Sequence, residues 1–166
     1  MNDLRRILLA EDDPNDADLT MTALEQRHLA NAVDVVKNGA EALDYLFRKG
    51  AYAERPPEMP AVVLLDIKMP KVDGLEVLRQ IRADPGLRCL PVVMLTSSRE
   101  EGDLLRSYEL GVNAYVVKPV EFDAFVHAVS DLGGFWAVIN EPPPGFAQKP
   151  AAGPKPESST HPRPTP

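Results

Sequence analysis

Three carboxylates, a hydroxyl and an ammonium carry the chemistry that this sequence suggests. Glu11 and Asp12 follow the apolar run Ile7-Leu8-Leu9-Ala10, and Asp66 follows Ala61-Val62-Val63-Leu64-Leu65. Thr96 ends Val92-Val93-Met94-Leu95, and Lys118 ends Tyr115-Val116-Val117. Short apolar runs separated by helix-like segments read as buried strands of a parallel sheet. In open α/β sheets the reactive crevice lies outside the carboxyl ends of the strands, so the five groups are expected to meet at one edge. Hard oxygen ligands with room for water suit Mg²⁺, with Mn²⁺ as an alternative. A carboxylate there can take up a phosphoryl group once a metal has neutralised the incoming oxygens.

The elements that must position these groups alternate between strand-like and helical patterns, as in a doubly wound α/β fold. Five strands and five helices are expected. Strand one lies near residues 5 to 11 and leads to a helix with Asp13 as N-cap and Pro14 at its first position. Strand two, near 32 to 37, passes through Asn38-Gly39 into a helix ending around Lys49-Gly50. Prolines 56, 57 and 60 hold a loop extended before strand three, and Asp73-Gly74 starts a helix with Leu75, Leu78 and Ile81 on one face. Strand four begins after Pro91. The next helix is expected from Ser98, with Glu101 completing a capping box. Strand five covers Val112 to Val117, and a last helix runs from about Glu121 to Leu132, where Gly133-Gly134 interrupts the pattern.

Each site residue also has an ordinary structural explanation. The acids of Glu11-Asp12-Asp13-Pro14-Asn15-Asp16 stand where a helix begins and favour its dipole without any metal. Asp66 alone reads as a turn former before Lys68-Met69-Pro70, and Lys118 alone as a solvated strand-end lysine. Together they support one another. A carboxylate ending a buried strand is costly unless paired or bound to an ion, repulsion among Glu11, Asp12 and Asp66 favours a cation, and Lys118 supplies the counter-charge. With Ser98 available as a cap, the Thr96 hydroxyl is free to donate to a phosphoryl oxygen. His28, His127 and His161 have no metal-ligand spacing.

The composition narrows the partners. The chain has 166 residues, enough for one domain with a full core, and 18 basic against 25 acidic side chains give a net charge of -7. No basic footprint for nucleic acid is present, and no run approaches the roughly 20 apolar residues of a membrane span. The single cysteine, Cys89, cannot form an internal disulfide. The N-terminal apolar run is too short for a signal peptide, so a soluble cytoplasmic protein is expected. Nine of the seventeen prolines fall in residues 141–166 with almost no large apolar side chains. This tail is expected to be disordered.

From residue 5 to about 132 the chain resembles the response-regulator receiver family, the CheY-like domains. The resemblance rests on Glu11-Asp12, Asp66, Met69-Pro70, Asp73-Gly74, Thr96 and Lys118-Pro119. It implies a flavodoxin-like (βα)5 sheet of strand order 2-1-3-4-5 and phosphotransfer from a sensor histidine kinase to Asp66, with a histidine phosphotransfer protein as a further possible partner. It also implies Mg²⁺ held by Asp12, Asp66 and the main-chain carbonyl of Lys68 beside Glu11. Thr96 and Tyr115 are implied as the switch, acting on the face of helix four, strand five and helix five, and the Lys118-Pro119 bond is implied to be cis. Lys68 and Ser98, two residues past Asp66 and Thr96, stand where the family tunes phosphoryl lifetime.

A narrower resemblance, to single-domain regulators paired with phytochrome histidine kinases, rests on the loop Ala51–Pro57, on Leu132-Gly133-Gly134-Phe135-Trp136 and on Asn140–Pro144. The changes of composition after the last helix divide the chain into a receiver domain over 1–140, with core 5–132 and an extension over 133–140, and the tail 141–166. The narrower resemblance implies a homodimer through helix four, strand five, helix five and the extension. Phe135 and Trp136 either anchor that dimer or pack on their own domain. Two competing readings are weaker. A hydrolase of the haloacid-dehalogenase type needs a second acid two residues past the nucleophile, where Lys68 stands, and a phosphorylation-independent interaction module would not need a complete site.

Overall fold

Four-residue apolar runs build the sheet. In the computed structural model, which describes residues 5–118 and 121–144, strands β1 (Ile7–Ala10), β2 (Val33–Val36), β3 (Val62–Leu65), β4 (Val92–Thr96) and β5 (Ala114–Val117) pair in parallel in the order β2-β1-β3-β4-β5. The expected flavodoxin-like order is therefore present. The break in sequence order falls between β1 and β3, whose ends carry Glu11 and Asp66. Their register continues past the ladder, since Glu11 N donates to Val36 O and Asp66 N donates to Ala10 O.

Side chains alternate across the sheet into two apolar layers, as the strand period requires. Leu8, Ala10, Val63, Leu65, Val92 and Met94 face helices α2 (Gly39–Phe47) and α3 (Gly74–Ala83). Ile7, Leu9, Val62, Leu64, Val93 and Leu95 face α1 (Pro14–Glu25) and α5 (Phe122–Gly134). The central strands are covered on both faces, which explains why β1, β3 and β4 read as continuous apolar runs rather than alternating ones.

Three helix starts follow directly from their caps. Asp13 accepts from Asn15 N and Asp16 N with Pro14 in the first turn, Asn38 accepts from Glu41 N, and Asp73 accepts from Glu76 N. Helix α4 (Glu101–Glu109) differs from the expectation. It begins three residues after Ser98, and its N-cap Glu100 makes no side-chain cap bond; the Ser98 hydroxyl donates to Asp103 Oδ2 at 2.6 Å and accepts from Glu100 N at 3.4 Å. Ser98 therefore ties into the first turn of α4 from outside it, through a charge-assisted bond to Asp103, rather than opening the helix. Only Ser107 of α4 is buried, and Leu104, Leu105 and Tyr108 are exposed.

The end of the domain also departs from the sequence reading. Gly133-Gly134 does not interrupt the last helix: α5 continues through Gly134 into a π-helical turn over Phe135–Ile139. Gly133 marks a close approach, since a Cβ there would meet Leu24 Cδ2 at 2.4 Å. Absence of a side chain lets α1 and α5 pack, and Arg27 locks them by donating to Ser130 Oγ and Asp131 Oδ1. The loop after α2 is not merely extended. It forms a 3-10 turn over Gly50–Tyr52, and Arg55 stacks on the Tyr45 ring while donating to the carbonyls of Tyr45, Pro56 and Glu58. Among the described residues no helix is long and apolar enough to cross a membrane. The expected cis bond at Pro119 and the tail beyond Pro144 lie outside the described residues.

Candidate functional site

The ends of β1 and β3 bring three acids together. Carboxylate oxygens of Glu11, Asp12 and Asp66 lie within 4.8 Å of one another, with Glu11 and Asp66 buried and Asp12 exposed. Asp66 Oδ2 is 3.3 Å from Lys118 Nζ, whereas Asp66 Oδ1 is buried with no hydrogen-bond partner. A buried, unpartnered carboxylate oxygen is costly in isolation. An oxygen-only donor set around it, open to solvent on the Asp12 side, fits a hard divalent cation that keeps part of its water shell. The residues present therefore form a divalent metal site.

The loop after Asp66 is held by the start of α3. Asp73 caps the helix through Glu76 N, and Gly74 N donates to Ile67 O at 2.9 Å. A Cβ on Gly74 would stand 2.1 Å from the Asp66 carbonyl oxygen and 2.9 Å from Ile67 Cα. Only glycine allows α3 to begin against the main chain of Asp66, which accounts for the Asp73-Gly74 pair.

Lys118 reaches the site from the end of β5, and its ammonium is saturated. Nζ donates to Glu11 Oε2 at 2.6 Å, Asp16 Oδ2 at 2.9 Å and Asp66 Oδ2 at 3.3 Å. Burial opposes its charge, but the hydrogen bonds to Glu11 and Asp16 and the nearby Asp66 charge outweigh this and raise its pKa above that of an ordinary lysine. Burial in turn pushes the Glu11 carboxyl up to about 7, offset only in part by the hydrogen bond from Lys118. Asp16 is the site residue that sequence reasoning missed. It stood among acids already explained by the helix dipole, and its position in the first turn of α1, beside the crevice, was the available signal.

The hydroxyl and the aromatic meet through Ser98. Thr96 is fully buried, and its Oγ1 accepts from Ser98 N at 3.2 Å. The Ser98 carbonyl accepts from the Tyr115 hydroxyl at 3.0 Å, and the partly buried Tyr115 ring packs against the core layer shared with α2 and α3. Burial raises the Tyr115 pKa, so the phenol stays a donor. The Ser98 hydroxyl completes the link through Asp103 Oδ2, which also lies 3.7 Å from Lys68 Nζ. Thus the positions two past Asp66 and two past Thr96 are joined through one carboxylate of α4.

Phe135 and Trp136 divide their roles. Their rings meet edge to face at 5.0 Å between centroids. Trp136 is partly buried against the layer containing Leu24, Phe125 and Val129, whereas Phe135 is exposed together with Val138 and Ile139.

Comparison with known proteins agrees with this geometry. Residues 7–130 match the response regulator receiver domain family. The response regulator Rcp1 of Synechocystis sp. is 36% identical over 130 residues, covering 78% of this chain and 87% of its own. The Mn²⁺-bound form of response regulator Rcp1 superposes with a TM-score of 0.76 at 34% identity, covering 84% of this chain and 99% of the other. The phosphorylated cyanobacterial phytochrome response regulator RcpA gives a TM-score of 0.78 at 36% identity over the same shares. The bacteriophytochrome response regulator AtBRR is 64% identical with a TM-score of 0.68, again covering 84% and 99%.

Proposed function

The chain belongs to the response regulator receiver family, related to the phytochrome response regulators, and on that premise we propose that Asp66 accepts a phosphoryl group from a sensor histidine kinase, a bacteriophytochrome by kinship. The observation that carries this reading is Asp66 Oδ1, a buried carboxylate oxygen with no partner, set among two further acids and an ammonium. An Asp66 oxygen attacks phosphorus as the phosphorus–nitrogen bond of the donor phosphohistidine breaks. The electron pair of that bond returns to the imidazole, and the phosphoryl group remains on Asp66 as an acyl phosphate.

Glu11, Asp12, Asp66 and the main-chain carbonyl of Lys68 are the groups that would hold Mg²⁺. When bound, the cation neutralises phosphoryl oxygens and so lowers the barrier to attack by a carboxylate. Lys118 pairs with a phosphoryl oxygen as a point charge, and Thr96 donates its hydroxyl proton to another. Moving Thr96 Oγ1 toward the phosphoryl group draws on its hydrogen bond from Ser98 N, and through Ser98 on Tyr115 and Asp103. Lys68 and Ser98 accordingly tune the lifetime of the acyl phosphate.

The output of this reading is a changed surface on α4, β5 and α5 rather than catalytic turnover. The exposed Leu104, Leu105 and Tyr108 of α4 and Phe135, Val138 and Ile139 after α5 supply apolar area for a homodimer. Phe135 serves there, while Trp136 supports it from within its own domain. Residues 1–140 act as the receiver and 141–166 as its tail, in the cytoplasm, with a histidine phosphotransfer protein as a possible relay and no nucleic-acid contact.

Metal dependence tests the reading. Protein incubated with acetyl phosphate and Mg²⁺ is expected to give a retarded band on a phosphate-affinity gel, and the band is expected to vanish with a chelator. A band that forms equally with the chelator, or no band in either case, would overturn it.

A further inference from the structure

Asp16 makes a contact that neither the metal site nor the helix requires. Its main chain is already fixed, since its N donates to Asp13 Oδ1 and its carbonyl accepts from the Thr20 hydroxyl. Its carboxylate lies outside the Glu11, Asp12 and Asp66 oxygen cluster and reaches Lys118 Nζ at 2.9 Å. A lysine ammonium has three donor protons, and here Glu11, Asp16 and Asp66 meet all three, with Asp66 the most distant. A phosphoryl oxygen on Asp66 can take the place of Asp66 Oδ2, but to draw Lys118 closer than 3.3 Å the ammonium must loosen its hold on Glu11 or Asp16.

The two closer partners differ in how easily they can release the lysine. The Glu11 side chain is 2% exposed and also accepts from Asp13 N, whereas the Asp16 side chain is 35% exposed and can exchange the ammonium for water. Releasing Glu11 would leave a buried carboxylate without its cation, which is far more costly than hydrating an exposed one.

We infer that Asp16 is a positioning residue that ties Lys118 back in the resting protein and sets how readily Asp66 takes up a phosphoryl group. This rests on the phosphoacceptor reading above. With acetyl phosphate as donor, an Asp66 oxygen bonds to phosphorus while the bond from phosphorus to the acetate oxygen breaks, and acetate leaves with the electron pair. Lys118 is needed on the phosphoryl group as that charge develops, and Asp16 competes for it at that moment.

The test follows phosphorylation by acetyl phosphate at saturating Mg²⁺ in the wild type, Asp16→Ala, Asp16→Asn and Asp16→Glu. A partly exposed ion pair is worth at most about 1 kcal/mol, so Asp16→Ala is expected to raise the limiting rate roughly 5-fold. The half-saturating concentrations of donor and of Mg²⁺ should stay unchanged, Asp16→Asn should fall between, and Asp16→Glu should restore the wild-type rate. If Asp16→Ala fails to fold by circular dichroism, the Asn and Glu variants decide. A limiting rate unchanged or lowered in the Ala and Asn variants, or a gain explained by a shifted Mg²⁺ half-point, would overturn the role of Asp16 alone. A wild type that takes up no phosphoryl group would instead overturn the reading on which the role rests.

Discussion

Lys118→Ala is expected to destabilise the metal-free protein by about 3 kcal/mol, the magnitude seen when one partner of a buried ion pair is removed. Lys118 is 9% exposed and is the cation within hydrogen-bond reach of Glu11, Asp16 and Asp66. Without it, Glu11 and Asp66 are buried acids facing each other with no counter-charge, and Asp66 Oδ2 joins Oδ1 in lacking a donor among the contacts described. A divalent cation at the Glu11, Asp12 and Asp66 oxygens replaces part of the lost charge. Urea unfolding should accordingly show that Mg²⁺ stabilises the variant more than it stabilises the wild type. Equal stability of the two proteins in chelator would show that the lysine does not hold the acids together.

Gly74→Ala is expected to cost about 2 kcal/mol, within the usual range for overpacking, and to suppress phosphoryl uptake as well. The new methyl would meet the Asp66 carbonyl oxygen at 2.1 Å and Ile67 Cα at 2.9 Å. Both are main-chain atoms, so no side chain can swing aside: either α3 retreats or the loop after Asp66 shifts. Gly102→Ala, in the first turn of α4, is the matched control, because a Cβ there meets nothing within 4 Å and alanine is the better helix former. Chemical denaturation of both variants, read beside phosphorylation by acetyl phosphate, separates the two cases. A Gly74→Ala protein that retains wild-type stability and uptake would contradict the close approach.

How legible the site was depended on whether a residue's role is fixed by the chain around it or by distant contacts. Glu11, Asp66, Thr96 and Lys118 could be placed together because each closes an apolar run, and strand ends in a parallel sheet share an edge. The sheet order followed from the resemblance to the receiver family. The caps Asp13, Asn38 and Asp73 act on main-chain groups two or three residues away, so local sequence suffices. Ser98 looked equally local, but its hydroxyl goes to Asp103 and its carbonyl to Tyr115, seventeen positions along the chain. The Gly133-Gly134 pair read as a helix end because glycine is a weak helix former, whereas in the fold Gly133 sits where α5 comes close to the Leu24 side chain. Asp16 was masked by a sufficient local explanation, the helix dipole, and only the fold reveals Lys118 102 residues away as its partner.

The most direct test of the central claim is the intact mass of the wild type and of Asp66→Asn, each incubated with acetyl phosphate and Mg²⁺, with peptide mapping of any modified species. One added phosphoryl group on the wild type, located at Asp66 and absent from the variant, is the predicted result. No mass gain in the wild type, or an equal gain in the variant, would contradict the assignment of Asp66 as the phosphoacceptor.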